Sequence, residues 1–418
     1  LQESKEQHAM AGMVDRREFL ERAGIGAAAM MAAGCATTTA GFGANETINV
    51  GCIGTGGRCR HLMNVLNTIP NTRITAVCDV WDAHLEQGRA LADPKAFATR
   101  RHEELLERRD VDAVIIGTPD HLHVPLTIDA CAAGKDVYVE KPLTHNIAEG
   151  QAVIDAQNRS GQIVQVGMQQ RSMPHLMEAK RLIDAGEAGP IRKVHLTWNR
   201  NTDRGARGQY NISPDALDWD RFLGPAPKQP FDPHKFRNWR FFWEFGGGIF
   251  TDLMVHFIDV AHWFLDLDHP AAATSIGNHF THADVWQTPD TVQTLLQYPN
   301  PEVQIYFEGT FFNARNAAMM EYMGSDATIY CDRGRYELHP EPGKSIEYKE
   351  LILGSGGRGQ DFYDAPNGEL LHLTNWLDCV RTRQRPLCPA EYGVQAANAA
   401  HLANQALRSG QVAQWGAG

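Results

Sequence analysis

Short apolar runs rich in β-branched residues alternate, along the first third of the chain, with stretches whose apolar residues recur at helical spacing. From Thr47 the sequence reads TINVGCIGTGG, a strand-like run ending in glycines, and RHLMNVLNTI follows with the spacing of a helix. TRITAVCD, VDAVIIG and DVYVEK continue the series, with LTIDACAAG between the last two. Strands that alternate with helices predict a parallel sheet covered by helices.

A glycine turn joins the first predicted strand to the first predicted helix, with the spacing G-x-G-x-x-G except for a small cysteine in the third place. Its residues are Gly54, Thr55, Gly56, Gly57, Arg58 and Cys59. Such a turn alone is a weak signal, but here a strand precedes it and a helix follows, as in dinucleotide sites. Glycines let the backbone approach a pyrophosphate, and the helix N-terminus offers amide donors. We therefore expect a Rossmann-like, dinucleotide-binding domain over residues 46–167.

The strand TRITAVCD ends at Asp79, the place where an acidic residue accepts hydrogen bonds from the adenine-ribose hydroxyls. A carboxylate there would repel a 2′-phosphate, so the sequence favours NAD over NADP. The nearby Arg58 and Arg60 keep NADP open as the less favoured cofactor. A plain turn residue at the strand end is the alternative role for Asp79.

Further candidate ligand contacts follow the later strands, because ligands of such sheets bind at the carboxyl ends of the strands. The predicted cofactor-binding residues there are Thr118, Pro119, His123, Glu140 and Lys141, joined by Gln169 from the segment that follows the last strand. Lys141 would lie beside the nicotinamide and donate to the reacting oxygen. For Gln169 and its neighbour Arg171, a structural hydrogen bond is an equally good interpretation.

The stretch GGGIFTDLMVHFIDVAHWFLD, residues 246–266, places Asp252 and His256 four residues apart on one face of a predicted helix. Alone, the pattern is most simply a polar stripe on a solvated helix. Hydride transfer from a hydroxyl, however, needs a base of near-neutral pKa, and histidine suits that role. A metal site that includes Asp259 or His262 is an alternative interpretation of this spacing. Nothing else in the sequence indicates a metal, and none is predicted.

Four motifs in this order resemble the Gfo/Idh/MocA oxidoreductases, from about residue 47 to the C-terminus. They are the glycine turn, T-P-x-x-x-H from Thr118, A-G-K-x-V-x-x-E-K-P from Ala133, and G-G-G followed by D-x-x-x-H. Two positions depart from the family pattern, Cys59 in the glycine turn and Met254 inside D-x-x-x-H, where glycine is common. The second departure predicts a different packing of that helix.

The resemblance implies an α/β architecture: an N-terminal Rossmann domain and, over residues 168–418, a C-terminal α/β domain with a large, open, mostly antiparallel sheet. It also implies NAD(P)-dependent oxidation or reduction of a sugar or polyol hydroxyl, with His256 as general base and Asp252 as its partner. The family's habit of pairing open sheets implies a homo-oligomer. The stretches HLTNWLDCVRTRQRP and GVQAANAAHLANQAL predict two C-terminal helices that cover the two domains.

Composition narrows the partners. Lysine and arginine number 39 against 50 acidic residues, a net charge of −11, and there is no long basic run. This balance argues against nucleic acid or an anionic membrane as the main partner and favours a small-molecule ligand. The eight cysteines form neither C-x-x-C pairs nor a zinc-like cluster, so neither a metal site nor a disulfide framework is expected.

We interpret residues 1–45 as a targeting signal rather than as part of the fold. Arg16 and Arg17 precede Phe19 and a short Ala/Gly/Met run, which resembles a twin-arginine export signal. The expected partner is then the twin-arginine export machinery, and the expected location is periplasmic or exported. Cys35 is a weak candidate for a lipoprotein acceptor site, and a frayed amphipathic helix of a cytoplasmic enzyme is the alternative.

Three functions remain compatible with these residues. The first is an exported NAD(P)-dependent dehydrogenase of a sugar or polyol. The second is a glycoside hydrolase that uses NAD for transient oxidation followed by elimination, which would return NAD and release an aglycone. The third is a non-enzymatic binding protein that kept the fold.

Overall fold

The computed structural model describes residues 46–202, 210–360 and 367–416. Its first half is built on a six-stranded sheet in which every neighbouring pair is parallel, in the order β3-β2-β1-β4-β5-β6. The strands are β1 (Ile48–Ile53), β2 (Thr72–Cys78), β3 (Phe97–Thr99), β4 (Ala113–Ile116), β5 (Asp136–Val139) and β6 (Val164–Val166). The predicted Rossmann-like sheet is confirmed. Its central strands β4 and β5 are buried throughout, which explains their continuous apolar runs.

Five helices belong to this half. They are α1 (Gly57–Leu66), α2 (Asp82–Arg89), α3 (His102–Leu106), α4 (His123–Ala132) and α5 (Gly150–Ser160). Helix α1 follows the glycine turn directly, as the sequence predicts. The buried face of α1 includes Leu62 and Leu66, which reach the apolar core on one side of the parallel sheet.

The second half is built on a nine-stranded sheet with the order β14-β13-β12-β11-β7-β10-β9-β8-β15. Its strands are β7 (Ile191–Asn199), β8 (Ala272–Asn278), β9 (Thr291–Pro299), β10 (Glu302–Thr310), β11 (Ala318–Gly324), β12 (Ala327–Cys331), β13 (Arg335–Pro340), β14 (Lys349–Ile352) and β15 (Ala413–Gln414). Among the described strands β7 and β10 pair in parallel, and the other neighbours are antiparallel. The large, mostly antiparallel sheet is therefore confirmed. Buried and more exposed positions alternate along β9 and β10, as expected for a sheet with one covered face.

The helices of this half are α6 (Pro174–Asp184), α7 (Trp219–Leu223), α8 (Pro233–Arg237), α9 (Val255–Leu265), α10 (Gly368–Thr382) and α11 (Ala390–Ser409). A π-helical turn, Phe250–Met254, leads directly into α9. The predicted C-terminal helices both form. Helix α10 contributes Leu373, Trp376 and Leu377 to the core beside the parallel sheet, whereas α11 packs against α9 and β8.

Residues 210–245, here called the bridging segment, lie between β7 and the π-helical turn and contact the first half of the chain. Leu217 forms an isolated β-bridge with Trp81, and the Asp218 amide donates to the Val80 carbonyl at 2.9 Å. The Arg221 guanidinium binds the carboxylate of Glu103 at 3.0 Å. The aromatic cluster of this segment is Phe222, Phe236, Phe242 and Phe245, with Trp81, Trp219, Phe231 and Trp239 packed against it. The bridging segment thereby forms a wall opposite the carboxyl ends of the parallel strands.

No helix among the described residues is long and apolar enough to cross a membrane. The seven cysteines in this part of the chain are all buried and free. Buried thiols of this kind pack as small apolar side chains. Cys35 and the twin arginines lie outside the described residues.

Candidate active site

The glycine turn contains two kinds of glycine. Gly54 has φ +79°, and a Cβ atom there would lie 2.8 Å from the backbone nitrogen of Thr118, so the fold itself requires glycine. A Cβ atom on Gly57 would meet nothing within 4 Å, and one on Gly56 would meet only the His84 ring, at 3.6 Å. These two glycines therefore leave an open backbone surface at the N-terminus of α1, where phosphate groups bind in such folds.

Cys59 takes the third place of the turn and is fully buried. A Cβ atom on Gly117, at the end of β4, would lie 2.8 Å from the Cβ atom of Cys59. Two small residues at this contact let α1 pack closely against the parallel sheet. The departure from the family's glycine thus leaves the close helix–sheet packing in place.

A cleft of about 520 Å³ runs along the carboxyl ends of the parallel strands. One wall holds the glycine turn, Asp79, Thr118 and Pro119, all of which the sequence predicts to bind the cofactor. The opposite wall comes from the bridging segment. Its residues in the cleft include Arg221, Phe222, Phe236, Arg237, Trp239 and Arg240.

Asp79 lies in this cleft, where the sequence predicts a ribose contact. One carboxylate oxygen accepts from the Trp81 amide at 2.9 Å. The other lies 3.5 Å from the Thr55 hydroxyl and 3.7 Å from Nδ1 of His84. The Thr55 hydroxyl donates to the His84 carbonyl at 2.8 Å, so Thr55 fixes the turn rather than facing the cleft.

Arg58 lines the cleft, and two carboxylates hold its side chain there. Its Nε donates to Glu140 at 2.7 Å, and its Nη1 donates to Glu369 of α10 at 3.1 Å. Burial lowers the pKa of the Arg58 guanidinium, but the two carboxylates raise that pKa by more, so the side chain stays charged. The guanidinium and the Glu140 carboxylate therefore fix each other's position, and their contact with a cofactor stays a prediction. Arg60 is also engaged locally, donating to the Thr55 carbonyl at 2.6 Å.

His123, also predicted to contact the cofactor, is held between two backbone carbonyls. Its Nδ1 lies 2.7 Å from the Pro142 carbonyl oxygen and its Nε2 lies 2.9 Å from that of Thr118. Both ring nitrogens thus face backbone carbonyls, and burial lowers the pKa of the imidazole. The ring joins the two turns that carry Thr118 and Lys141, so His123 is a positioning residue.

A smaller cavity of about 150 Å³ adjoins the cleft. The two share five lining residues: Arg58, Gly117, Thr118, Trp239 and Arg240. The three predicted catalytic residues, Lys141, Asp252 and His256, all line the smaller cavity. The structure therefore brings together side chains that lie more than 100 positions apart in the sequence.

Lys141 and Asp252 form an ion pair across the two halves of the chain. The ammonium group donates to the Asp252 carboxylate at 3.1 Å and to the Asp252 carbonyl at 2.6 Å. The Nε of Arg240 lies 3.4 Å from the same carboxylate oxygen. The Asp252 carboxylate therefore holds Lys141, and no hydrogen bond links Asp252 to His256 within the described residues. The negative charge of Asp252 nevertheless raises the pKa of His256, so a partnership through charge rather than through a hydrogen bond stays a prediction.

His256 faces this ion pair as a neutral base. Its ring stacks on Trp198 with centroids 5.4 Å apart, and its buried Nδ1 has no hydrogen-bond partner within the described residues. Burial lowers the pKa of His256 well below its usual value, and the nearby charges of Lys141 and Arg333 lower it further. At neutral pH the imidazole is uncharged and able to accept a proton.

Gln169 lines the small cavity, as predicted, and Arg171 does not. When the Gln169 amide is oriented to satisfy both neighbours, it donates to the Gly167 carbonyl and accepts from Arg333, each at 2.9 Å. Arg171 instead binds Asp259 through two nitrogens at 2.9 to 3.0 Å, with both side chains buried. Gln169 thus orients Arg333 at the cavity, whereas Arg171 is structural.

Asp259 and His262, the candidate ligands of the alternative metal site, do not form a metal-binding set. Asp259 is engaged by Arg171, and Nε2 of His262 lies 2.7 Å from the Tyr298 hydroxyl. Across the described part of the chain, no three His, Cys, Asp or Glu side chains group as metal ligands.

Several cavity residues were not predicted. They are Asp120, Trp198, Arg200, Trp239, Arg240, Leu253, Arg333 and Glu369. Asp120 directly follows the predicted Thr118-Pro119 pair, so its position was detectable. Trp239 and Arg240 belong to the aromatic stretch FRNWRFFWEF, for which core packing and sugar stacking are both compatible. Arg333 and Glu369 carry no local motif.

The cleft suits a dinucleotide. Gly56 and Gly57 give an open cradle at a helix N-terminus, and Asp79 lies at the end of β2. The Thr118 hydroxyl is buried at the junction of the two cavities without a hydrogen-bond partner among the described residues. A bound ligand group at that junction would supply the missing partner.

Comparison with known proteins identifies both halves of the chain. Residues 48–168 match the Gfo/Idh/MocA profile described as oxidoreductase family, NAD-binding Rossmann fold. Residues 180–414 match the profile of the same family's C-terminal alpha/beta domain. Together the two matches cover most of the chain.

Individual relatives are inositol dehydrogenases. The scyllo-inositol 2-dehydrogenase (NAD(+)) of Bacillus subtilis is 32% identical over 221 residues, 52% of this chain and 53% of that protein. The inositol 2-dehydrogenase of Salmonella typhimurium is 27% identical over 228 residues, 53% of this chain and 54% of that protein. The matched segment thus spans about half the length of each relative.

Solved structures share the fold over a longer range. Levoglucosan dehydrogenase in complex with NADH and L-sorbose superposes with a TM-score of 0.68 at 17% identity, covering 88% of this chain and 99% of that one. The WlbA dehydrogenase of Bordetella pertussis, in complex with NADH and UDP-GlcNAcA, gives a TM-score of 0.66 at 18% identity, covering 88% and 99%. The two profile matches, supported by this fold, show that the chain belongs to the Gfo/Idh/MocA family of oxidoreductases, with an NAD-binding Rossmann domain.

Proposed function

We propose that the protein is an NAD-dependent oxidoreductase that transfers hydride between the nicotinamide and a hydroxyl group of a sugar or polyol. One observation carries the proposal: Lys141, Asp252 and His256 line a cavity that adjoins the predicted cofactor cleft. The substrate class draws on the inositol dehydrogenases among the relatives and on the sugar ligands of the similar structures.

Lys141, His256 and Asp252 have different roles in the transfer of the proton. When bound, the cofactor supplies the hydride acceptor or donor. Lys141, fixed by Asp252, donates a hydrogen bond to the reacting oxygen and stabilises negative charge that develops there. His256 is uncharged at neutral pH because burial and the nearby cations lower its pKa. Its free ring nitrogen, which has no hydrogen-bond partner within the described residues, is the acceptor for the hydroxyl proton. Asp252 acts by holding the lysine rather than by orienting the imidazole.

We propose NAD rather than NADP as the working cofactor. Asp79 presents a carboxylate at the end of β2, where it would repel a 2′-phosphate. Arg60, one of the two arginines that kept NADP open in the sequence, already donates to the Thr55 carbonyl.

Mass spectrometry of cofactor released from the purified protein, followed by turnover assays, tests the proposal. The assay panel contains inositols, aldoses, ketoses and nitrophenyl glycosides, and each reaction is read for both NADH and free nitrophenol. Accumulation of NADH with a sugar or polyol supports the dehydrogenase. Release of nitrophenol without net NADH would instead identify the redox-neutral glycoside hydrolase. A protein that binds a sugar but neither binds NAD nor turns over any substrate would overturn both.

Export and assembly are proposals that rest on the sequence alone. We propose twin-arginine export of the folded protein to the periplasm, with Cys35 as a candidate lipidation site, and a homo-oligomer formed through the open sheet. Export in the folded state would let the protein acquire its cofactor in the cytoplasm.

A further inference from the structure

Asp120 is a buried carboxyl group inside the small cavity. It follows Thr118-Pro119 at the carboxyl end of β4 and opens a short 3₁₀ turn, Asp120–Leu122. Only 5% of its surface is exposed, and it lines the same 150 Å³ cavity as Lys141 and His256. A polar group in that position faces whatever occupies the cavity.

The partners of Asp120 differ from those of the other acids in this cavity. Asp252 binds Lys141, and Glu140 and Glu369 both bind Arg58. Among the described residues, Asp120 has one hydrogen-bond neighbour, the Thr251 hydroxyl at 3.5 Å from Oδ2, and no cation within ion-pair distance.

Thr251 gives only partial compensation to this carboxyl. Its hydroxyl accepts from the Gly247 amide at 3.0 Å and donates its one hydrogen towards Asp120, but at 3.5 Å, the long limit for a hydrogen bond. A buried carboxylate with so little compensation is expected to take up a proton instead.

The charged groups that face Asp120 come from three elements. Lys141, after β5, and Arg240, in the bridging segment, favour the ionised form, whereas Asp252, in the π-helical turn, disfavours it. Burial, reinforced by Asp252, outweighs the two cations and the Thr251 hydroxyl, and the pKa of Asp120 rises to about 8. The neutral acid is then the main form at pH 7, and it has one O–H group to donate.

We propose that Asp120 is a catalytic residue that contacts substrate, a neutral carboxyl that donates a hydrogen bond to a second oxygen of the sugar or polyol. The inference rests on the proposed function. In this arrangement Lys141 and Asp120 donate to the substrate and His256 accepts from it, all three lining the same cavity. A substrate with two neighbouring oxygens matches this set: Lys141 and His256 serve the reacting hydroxyl, and Asp120 holds the hydroxyl or carbonyl beside it.

The test compares Asp120→Asn and Asp120→Ala with the wild type, measuring KM and kcat from pH 6 to pH 9. Asparagine keeps the shape and a donor, so its KM at pH 7 should stay within about 3-fold of wild type and vary little with pH. Alanine lacks the donor, so its KM should rise about 10-fold or more at every pH. The wild-type KM should rise about 10-fold between pH 7 and pH 9, as the acid ionises.

The kinetic comparison can also overturn the proposal. An asparagine variant as impaired at pH 7 as the alanine variant would show that the negative charge is needed. A wild-type KM that does not change through pH 8 would show that ionisation of Asp120 does not affect substrate binding. As a control, Asp110→Asn removes an exposed acid that binds Arg108 at 2.6 Å, far from both cavities, and should leave the profile unchanged.

An infrared difference spectrum between the wild type and Asp120→Asn separates this inference from the proposed function. A protonated carboxyl stretch should be present in the wild type at pH 6.5, absent in the variant, and lost from the wild type above pH 8. If no sugar or polyol is turned over, the proposed function fails, whereas the band still reports the state of Asp120. Absence of the band overturns the inference whatever the activity.

Discussion

Lys141 and Asp252 come from different halves of the chain and meet at 3.1 Å over the small cavity. Neither side chain is exposed enough for water to screen the pair strongly, with 12% and 14% of their side-chain surfaces accessible. Such a pair fixes the direction of the lysine ammonium. It also makes the position of a catalytic donor depend on how the two halves pack.

Replacement of Lys141 tests this assignment at the scale of one residue. Lys141→Ala should lower kcat by about 10²- to 10⁴-fold, because it removes the donor to the reacting oxygen. Bound NAD should remain, since the glycine turn and Asp79 are untouched. Steady-state kinetics with cofactor quantified by mass spectrometry provide the measurement. The matched control is Lys228→Ala, an exposed lysine with 68% of its side chain accessible. Full activity of Lys141→Ala would remove the lysine from the chemistry.

Residue types in the site were predictable, but their partners were not. The sequence places Lys141, Asp252 and His256 in motifs, and the structure brings all three to one cavity. The expected Asp252–His256 partnership rested on helical spacing and on the family resemblance, and neither showed that a lysine more than 100 positions away binds the carboxylate. The ion pair of Arg58 with Glu369 was equally unpredictable, because Glu369 carries no signal that would show it approaching α1.

At the scale of single elements, the glycine turn shows how one motif serves both fold and ligand. Gly54 has a left-handed backbone and a close neighbour, whereas Gly56 has φ −65° and an open surface. The two positions therefore separate the structural use of glycine from its use in binding.

Alanine at each position should give opposite results. Gly54→Ala should destabilise the fold by about 2 kcal/mol or more, because it forces a Cβ atom into the Thr118 backbone at an unfavourable φ. Gly56→Ala should change stability by less than about 0.5 kcal/mol yet weaken NAD binding about 10-fold. Urea unfolding and NAD titration of both variants are the measurements. Equal NAD affinity for Gly56→Ala and wild type would place the phosphates elsewhere.

Elements of strong periodicity were predicted well, and irregular ones were not. The buried strands β4 and β5 and the helix α1 follow from apolar runs and spacing. The π-helical turn Phe250–Met254 was expected as plain helix, because its extra residue per hydrogen-bonded ring leaves no mark on the apolar pattern. Met254, where relatives commonly have glycine, lies in this turn and is fully buried.

At the scale of the whole molecule, a continuous apolar core runs from the parallel sheet to the antiparallel one, and it encloses many imidazoles. Burial lowers the pKa of four of them to values between about 3 and about 4. They are His121, His262, His372 and His401. Each must stay neutral in the folded protein at pH values where the unfolded chain takes up a proton.

As the pH is lowered, the free energy of unfolding should therefore begin to decrease at pH values well above those at which carboxylates titrate. The folded pKa values lie below the unfolded value near 6.5, so the stabilisation is complete above pH 6.5 and is lost as pH falls towards 4. Each histidine should contribute a loss of about 1.4 kcal/mol per pH unit in that window. Calorimetry at pH 7, 6 and 5 measures the fall in Tm. His262→Gln, which keeps a hydrogen-bond partner for Tyr298, should reduce the fall in Tm per pH unit. An equal fall in that variant and in the wild type would contradict this role of the buried histidines.

The bridging segment could not be predicted as a wall of the cofactor cleft. From the sequence, its aromatic stretch FRNWRFFWEF favours core or interface packing over stacking on a sugar. The deciding contacts are long-range ones, the Leu217–Trp81 bridge and the Arg221–Glu103 ion pair. No local pattern specifies such contacts between two halves of a chain.

The tryptophans of that wall should also make the fluorescence of the protein sensitive to the bound cofactor. Three of the nine tryptophans, Trp81, Trp219 and Trp239, belong to the bridging contact, and Trp239 also faces the cleft. Indole emission overlaps the absorption of reduced nicotinamide, so NADH in the cleft should quench their fluorescence by energy transfer, whereas NAD should not. The oxidation state of the cofactor then becomes readable during turnover without any added dye. A spectrum in which NADH and NAD quench equally would mean that the cofactor lies away from this wall.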